Sequence, residues 1–370
     1  MKDLFVIDVA FAIPGDLELA TGGYAYARRM LQHLPEHGVT AHHIALPDTF
    51  PAPTESDLEV TRHLLAQIAP STPILFDGLA FGALPPEIVT EIASPIIALV
   101  HHPLALETGL EPHRKRQLQA LERVALQHAA AVIATSPLTA RTLVSDYGVD
   151  EGQLAVAKPG TVPALRATGT GAPLTMLAVG AIIPRKAYSI LIDALAHLIE
   201  THDVAMDWHL IIVGATDRDA QEANLVRERI LASGLRRNIT IAGEISAREL
   251  SRLYARADLF VLPSLYEGYG MVLAEAMARG LPIISTTGGA AAETVPDAAA
   301  IKVSPEDAVA LGDAIATAMM DGERRAEMAS ASWTAGRCLP DWPDSAATIA
   351  AVVKSVAAGD NLGDPQSERA

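Results

Sequence analysis

The residues best suited to chemistry are two carboxylates and a basic pair. In PSLYEGYGMVLAEAMARGLP, which begins at Pro263, Glu267 and Glu275 stand eight positions apart across a glycine-bearing turn into a helix. The first amides of a helix have no partner within it, so Gly270, Met271 and Val272 are placed to meet an anion or a sugar oxygen. Arg185 and Lys186, in GAIIPRKA, follow an apolar strand-like run from Leu174 to Val179. Two cations at a strand end can stabilise the charge that collects on a departing diphosphate, although a basic pair is also an ordinary surface feature. Gly22 and Gly23 stand where a loop becomes a helix. They permit close backbone approach to a ligand, or simply a flexible turn. His101, with His102 and Pro103 after it, ends the apolar run Ile96–Val100. In open parallel sheets ligands lie beyond the carboxyl ends of strands, so His101 is a candidate, with bonding to a nearby backbone group as the alternative.

Other patterns point away from rival chemistries. Asp217 and Asp219 form a D-x-D that could hold a divalent cation through oxygen, but aspartates at that place also suit the first turn of a helix, which is the preferred reading. The histidines lack an HExxH spacing and the chain has one cysteine, Cys338, so neither a thiolate cage nor an internal disulfide is expected. No metal and no cofactor is expected. A G-x-G-x-x-G after the first strand, which an NAD-dependent oxidoreductase would need, is missing. The basic run His113–Arg116 precedes apolar positions Leu118, Leu121, Val124 and Ala125 at helical spacing, and reads as the solvated face of an ordinary helix. A net charge of −16 argues against a general nucleic-acid surface.

These residues must be positioned by a scaffold, and 370 residues suggest two domains. Half the residues are apolar and only 4% aromatic, and alanine-rich helical runs alternate with Val/Ile/Leu runs, the pattern of parallel sheets covered by helices. Strands are expected at Leu4–Phe11, Val39–Leu46, Pro73–Asp77, Ile96–Val100, Ala131–Thr135 and Gln153–Ala157, with helices between them. After the Gly-, Pro- and Thr-rich linker TVPALRATGTGAP the series restarts with Leu174–Val179, Trp208–Val213, Asn238–Ala242 and Leu259–Leu262. The expected organisation is an α/β chain of two Rossmann-like doubly wound domains facing a cleft. They span 1–165 and 166–340, followed by a C-terminal helix over 341–358 packing back toward the first domain and a frayed tail over 359–370. The N-terminus reads as a strand rather than a signal peptide, and no apolar run is long enough to span a bilayer. A soluble, cytoplasmic protein is expected, with peripheral membrane contact compatible.

The chain resembles the family 4 retaining glycosyltransferases, the group 1 glycosyltransferases of the two-Rossmann GT-B fold. Ordered along it are TGG before the first helix, HHP, TS at 135–136, VGAIIPRKA, LIIVGA, ITIAGEIS, LYARAD and EGYGMVLAEAMARGLP. The last, two glutamates with seven residues between and then A-M-A-x-G-x-P, is the specific one. The resemblance implies that Glu267 contacts donor-sugar hydroxyls and Glu275 the ribose hydroxyls. It implies that Gly270, Met271 and Val272 offer amides, that Arg185 and Lys186 hold the diphosphate, that Gly23 lies in the glycine loop facing it, and that His101, rather than His102, stands near acceptor and donor sugar. The implied reaction is metal-independent transfer, with retention, from a nucleotide-diphosphate sugar to a glycan, lipid-linked or small-molecule hydroxyl. A nucleotide-sugar epimerase or phosphorylase of the same fold, and a non-catalytic nucleotide-sugar-binding protein, are the alternatives. Three positions depart from the family pattern: Ala181 where arginine is frequent, Ala187 where glycine follows the lysine, and KPGTV in place of P-N-G-V-D.

Overall fold

A computed structural model describes residues 6–202, 206–360 and 362. The chain forms two compact units, Met1–Gly160 with Pro340–Ala370, and Thr161–Leu339. The tail expected to be frayed lies, from 363 on, outside the described residues, as do Leu4 and Phe5 of the first expected strand.

In the first unit, strands β1 (Ile7–Pro14), β2 (Val39–Leu46), β3 (Ile74–Asp77), β4 (Ile96–Val100), β5 (Ala131–Ala134) and β6 (Leu154–Val156) alternate with helices. These are α1 (Gly22–His33), α2 (Glu55–Ala66), α3 (Gly78–Phe81), α4 (Pro86–Glu91), α5 (Pro112–Gln127) and α6 (Pro137–Tyr147). The sheet order is β2-β1-β3-β4-β5-β6, parallel throughout. The short strands β3, β4 and β5 are buried along their whole length, which is why they carry continuous apolar runs rather than alternation. The order reverses direction between β1 and β3, the position at which open parallel sheets commonly bind ligands beyond the strand ends.

The second unit repeats the scheme with β7 (Leu174–Val179), α7 (Tyr188–Thr201), β8 (Trp208–Val213), α8 (Ala220–Ala232), β9 (Ile239–Gly243), α9 (Ala247–Arg256) and β10 (Leu259–Leu262). It continues through α10 (Met271–Met277), β11 (Ile283–Thr286), α11 (Ala291–Thr294), β12 (Ala300–Val303), α12 (Ala308–Met320) and α13 (Gly322–Gly336). Its order, β12-β11-β10-β7-β8-β9, is that of a dinucleotide-fold sheet with the reversal between β7 and β10. The four-residue strands β11 and β12 and the Ala/Ser-rich α13 have no counterpart among the elements expected from sequence. Neither IIST nor AIKV is a continuous apolar run, and GERRAEMASASWTAG has few large apolar residues to mark a face. The Asp of LYARAD has a structural explanation: the Asp258 carboxylate accepts from the amides of Thr170 (3.1 Å), Gly171 (3.0 Å) and Thr175 (2.8 Å), holding the end of the linker against β7. Asp219 caps α8 by accepting from Glu222 N at 2.9 Å, as its position before a helix suggested.

The last helix, α14 (Trp342–Ala358), belongs to the first unit. Trp342 meets the ring of Tyr26 edge-on at 5.7 Å, and Ser345 Oγ donates to Lys158 O at 2.6 Å. Among the described residues no helix is long and apolar enough to cross a membrane.

One buried carboxyl ties the first unit together. Glu122 on α5 is 1% exposed, and its Oε2 accepts from Leu104 N at 2.9 Å, in the loop that follows His101. Burial pushes this carboxyl up to about 8, against smaller opposing hydrogen bonds from Leu104 and Tyr147. The folded chain therefore holds the proton more tightly than the unfolded one. The resulting stabilisation is complete below 4.5, the ordinary value, and is lost as pH rises through about 8. Thermal melts should show the Tm of the unaltered protein falling across that window, while Glu122→Gln, which cannot titrate, gives a flatter curve.

Candidate functional site

In the second unit the residues singled out by sequence come together at the β7/β10 reversal. After β7, Gly180 turns with φ 150°, a conformation that residues with a Cβ rarely adopt, and a Cβ there would stand 2.9 Å from Lys186 Cε. Arg185 and Lys186 end a short 3-10 turn, Pro184–Lys186. Arg185 O accepts from Leu265 N at 2.8 Å, which ties this turn to the loop after β10. From that loop comes Glu267, 6% exposed. Lys186 Nζ is 2.6 Å from Glu267 Oε1, and Arg185 Nη1 is 3.6 Å from Oε2 while donating to Tyr266 O at 2.8 Å. Burial alone would raise the Glu267 carboxyl. The Lys186 and Arg185 charges and hydrogen bonds from Lys186 and Ser264 more than offset it, and the carboxyl is held below the usual range. The loop is fixed from its other side as well, since Glu267 N donates to Gly288 O (3.2 Å) and Ala290 N to Glu267 O (2.7 Å).

Gly270, in the left-handed region at φ 88°, is the N-cap residue that starts α10. Leu273 N and Ala274 N already bond Gly270 O, while helix geometry gives the amides of Met271 and Val272 no acceptor within the helix. One turn on, half-buried Glu275 receives a hydrogen bond from Tyr254 Oη at 2.9 Å. Burial raises the Glu275 carboxyl, and the Tyr254 bond and the Arg279 charge oppose that rise.

The first unit has its own cluster at the β1/β3 reversal. Gly22 and Gly23 open α1, where Thr21 caps by accepting from Tyr24 N at 3.4 Å. The preceding loop is held by Arg28, which donates to Leu17 O and Leu19 O, and by Tyr24 Oη, which donates to Pro14 O at 2.8 Å. Gly23 lies against the His101 ring, 3.6 Å from where a Cβ would be. His101 meets Tyr26 edge-on at 5.3 Å, and its Nε2, buried and without a hydrogen-bond partner, stands 3.6 Å from Asp77 Oδ2. Asp77, 5% exposed at the end of β3, went unnoticed in the sequence, where it reads only as the last residue of PILFD. His102 turns to another partner, with Nε2 3.5 Å from Glu107. The TS pair positions His101: Thr135 Oγ1 donates to His101 O at 3.1 Å, and Ser136 caps α6. Among the described residues no group of three or more His, Cys, Asp or Glu is placed to hold a metal ion.

Two of the three departures lie in the loop after β7. Ala187, φ 50°, is a left-handed residue between the 3-10 turn and α7, the conformation glycine adopts without strain. Ala181 follows Gly180 at the mouth of the same loop and brings no charge.

Residues 169–333 match the family described as glycosyl transferases group 1. This stretch, a little under half of the chain, is similar to that family, and the two units, each a parallel sheet flanked by helices, have the GT-B-like fold. Among curated proteins it is similar to mannosylfructose-phosphate synthase of Agrobacterium fabrum, 32% identical over 49% of this chain and 42% of that protein. It is also similar to D-inositol 3-phosphate glycosyltransferase of Paenarthrobacter aurescens, 29% identical over 52% and 49%. The matched region spans about half the length of these relatives or less. Two solved structures share the fold over nearly the whole chain. Sucrose-phosphate synthase from Thermosynechococcus elongatus has a TM-score of 0.79 at 20% identity, covering 96% of this chain and 100% of that one. Anabaena HepE in complex with UDP and glucose has a TM-score of 0.74 at 19% identity, covering 94% and 100%.

Lys186 and Glu267 are buried enough that removing one partner strands the other. Lys186→Met should cost about 3 kcal/mol in denaturant unfolding, and Lys186→Met/Glu267→Gln should recover part of it, because the double change removes both members of the closest buried pair. Ala187→Gly should gain about 1 kcal/mol in the same measurement by relieving the left-handed alanine.

Proposed function

We propose that this protein is a glycosyltransferase that moves a sugar from a nucleoside-diphosphate donor to a hydroxyl acceptor with retention at the anomeric carbon. The observation that carries this reading is the buried grouping of Arg185, Lys186 and Glu267 at the β7/β10 reversal, with Glu275 on the adjoining helix. In the proposed reaction the bond from the anomeric carbon to the diphosphate oxygen breaks as the acceptor oxygen bonds to the same face. The acceptor proton passes to the departing phosphate oxygen. Negative charge then grows on the diphosphate, where Arg185, Lys186 and the amides of Met271 and Val272 stabilise it. Two cations against one carboxylate leave one net positive charge in the grouping, and placing it where no water reorganisation is needed makes it effective.

Glu267, held by both cations, orients the donor sugar by accepting from its hydroxyls, and Glu275 accepts from the ribose. In the first unit the resemblance assigns Gly23 to the glycine loop for the diphosphate and His101 to the neighbourhood of acceptor and donor sugar. No metal is invoked, since cations and amides supply the positive field. The acceptor is a hydroxyl of a glycan, a lipid-linked molecule or a small molecule. A cytoplasmic setting, with peripheral membrane contact compatible, is supported by the one cysteine, exposed Cys338.

The test is a screen of UDP-, GDP- and ADP-sugars by thermal shift, followed by transfer assays with product configuration read by NMR. We expect donor-dependent stabilisation, a product of retained configuration, and activity unchanged by chelator. Lys186→Met/Glu267→Gln should stay folded and lose transfer by at least about a hundredfold. Full activity in that variant, or donor conversion without transfer to any acceptor, would overturn the reading.

A further inference from the structure

Tyr254, from the LYARAD segment on α9, is 1% exposed and tightly held. Its ring stacks on Phe260 with centroids 5.8 Å apart and planes 18° from parallel. The guanidinium of Arg279 lies 4.5 Å from the ring centroid, and Arg279 Nη1 donates to Glu275 O at 3.0 Å. The Tyr254 hydroxyl has one proton and two acceptors in reach, Glu275 Oε2 at 2.9 Å and Val272 O at 3.4 Å. The carboxylate is the nearer and, as an ionised acceptor, the stronger. Stacking and cation–π contact would be met equally by phenylalanine. The hydroxyl therefore has its effect on Glu275.

We propose that Tyr254 is a positioning residue for the donor nucleoside: it holds Glu275 Oε2 and so fixes the carboxylate, leaving Oε1 to accept from a ligand hydroxyl. Oε1 receives no hydrogen bond from the described residues. A carboxylate on a helix can rotate about its last two torsions, and a second hydroxyl acceptor in the wrong plane binds poorly. One rigid phenol removes that freedom before the ligand arrives. The same bond opposes the effect of burial on the Glu275 carboxyl, keeping more of it in the ionised, accepting form. This inference rests on the reading of Glu275 as a ribose contact.

The experiment is calorimetric titration of the full chain with UDP, GDP and ADP and with their 2′-deoxy counterparts. It compares the unaltered protein with Tyr254→Phe, Glu275→Ala and the double variant, each checked by thermal melt. The expected result is that Tyr254→Phe keeps a melt close to the unaltered one yet binds the preferred ribonucleotide about tenfold more weakly, the loss of one hydrogen bond to a charged group. Its preference for ribose over 2′-deoxyribose should narrow. The ionisable groups facing Glu275 are Tyr254 and Arg279. Losing the phenol lets the Glu275 carboxyl rise further, so the weakening of binding on acidification should begin at higher pH in Tyr254→Phe. The double variant should bind no more weakly than Glu275→Ala. If Glu275→Ala weakens binding and Tyr254→Phe matches the unaltered protein at every pH, the inference fails and the reading of Glu275 stands. If Glu275→Ala binds as tightly as the unaltered protein, both fall.

Discussion

The second unit depends on one buried ion pair, Lys186 with Glu267, 2.6 Å apart and bracketed by Arg185. Taking these charges out of water is costly unless each is met, and here each is met by the other across two loops. The consequence is mechanical. The loop after β7 and the loop after β10 are not independent, because the pair and the Leu265–Arg185 backbone bond join them. The loop after β11 is joined in turn through Gly288 and Ala290. Side chains from two strand ends, braced by the backbone of a third loop, are thus held in place by the fold itself, as electrostatic stabilisation of a leaving group requires.

Both units place their candidate residues where the strand order reverses. Parallel sheets with helices on both faces leave only the strand ends open, and the reversal separates the helices there. In the first unit this collects Gly23, Asp77 and His101, and in the second the basic pair, Glu267 and the start of α10. The two clusters are built differently. The second is an ionic grouping of two cations and one carboxylate, with one net positive charge. The first is organised around one imidazole wedged between Tyr26 and Asp77, with its backbone carbonyl fixed by Thr135.

The departures from the family pattern take on meaning only with the backbone in view. Alanine at 187 is a mild change on paper, yet it occupies a left-handed conformation that costs free energy for any residue with a Cβ. The altered KPGTV segment spans the unit boundary, and a Cβ on its Gly160 would collide with the backbone of Trp342, 2.3 Å away. Its glycine serves the docking of the last helix.

The sequence alone determined the fold class and most of the elements, because buried parallel strands must be apolar throughout and the helices between them must be amphipathic. It also determined the spacing of Glu267 and Glu275, since a turn into a helix dictates what eight positions can reach. Several features were decided only by tertiary structure. No local signal marks Asp77 as the neighbour of His101, since β3 and β4 are brought side by side by long-range pairing. Nor does any pattern say that Lys186 spends its charge on Glu267, or that Tyr254 reaches Glu275 across 21 positions. The first contact arises because β7 and β10 are neighbours in the sheet despite being far apart in the chain, the second because the helices before and after β10 pack together, and hydrogen bonds and ion pairs act over ångströms in space rather than over residues in sequence.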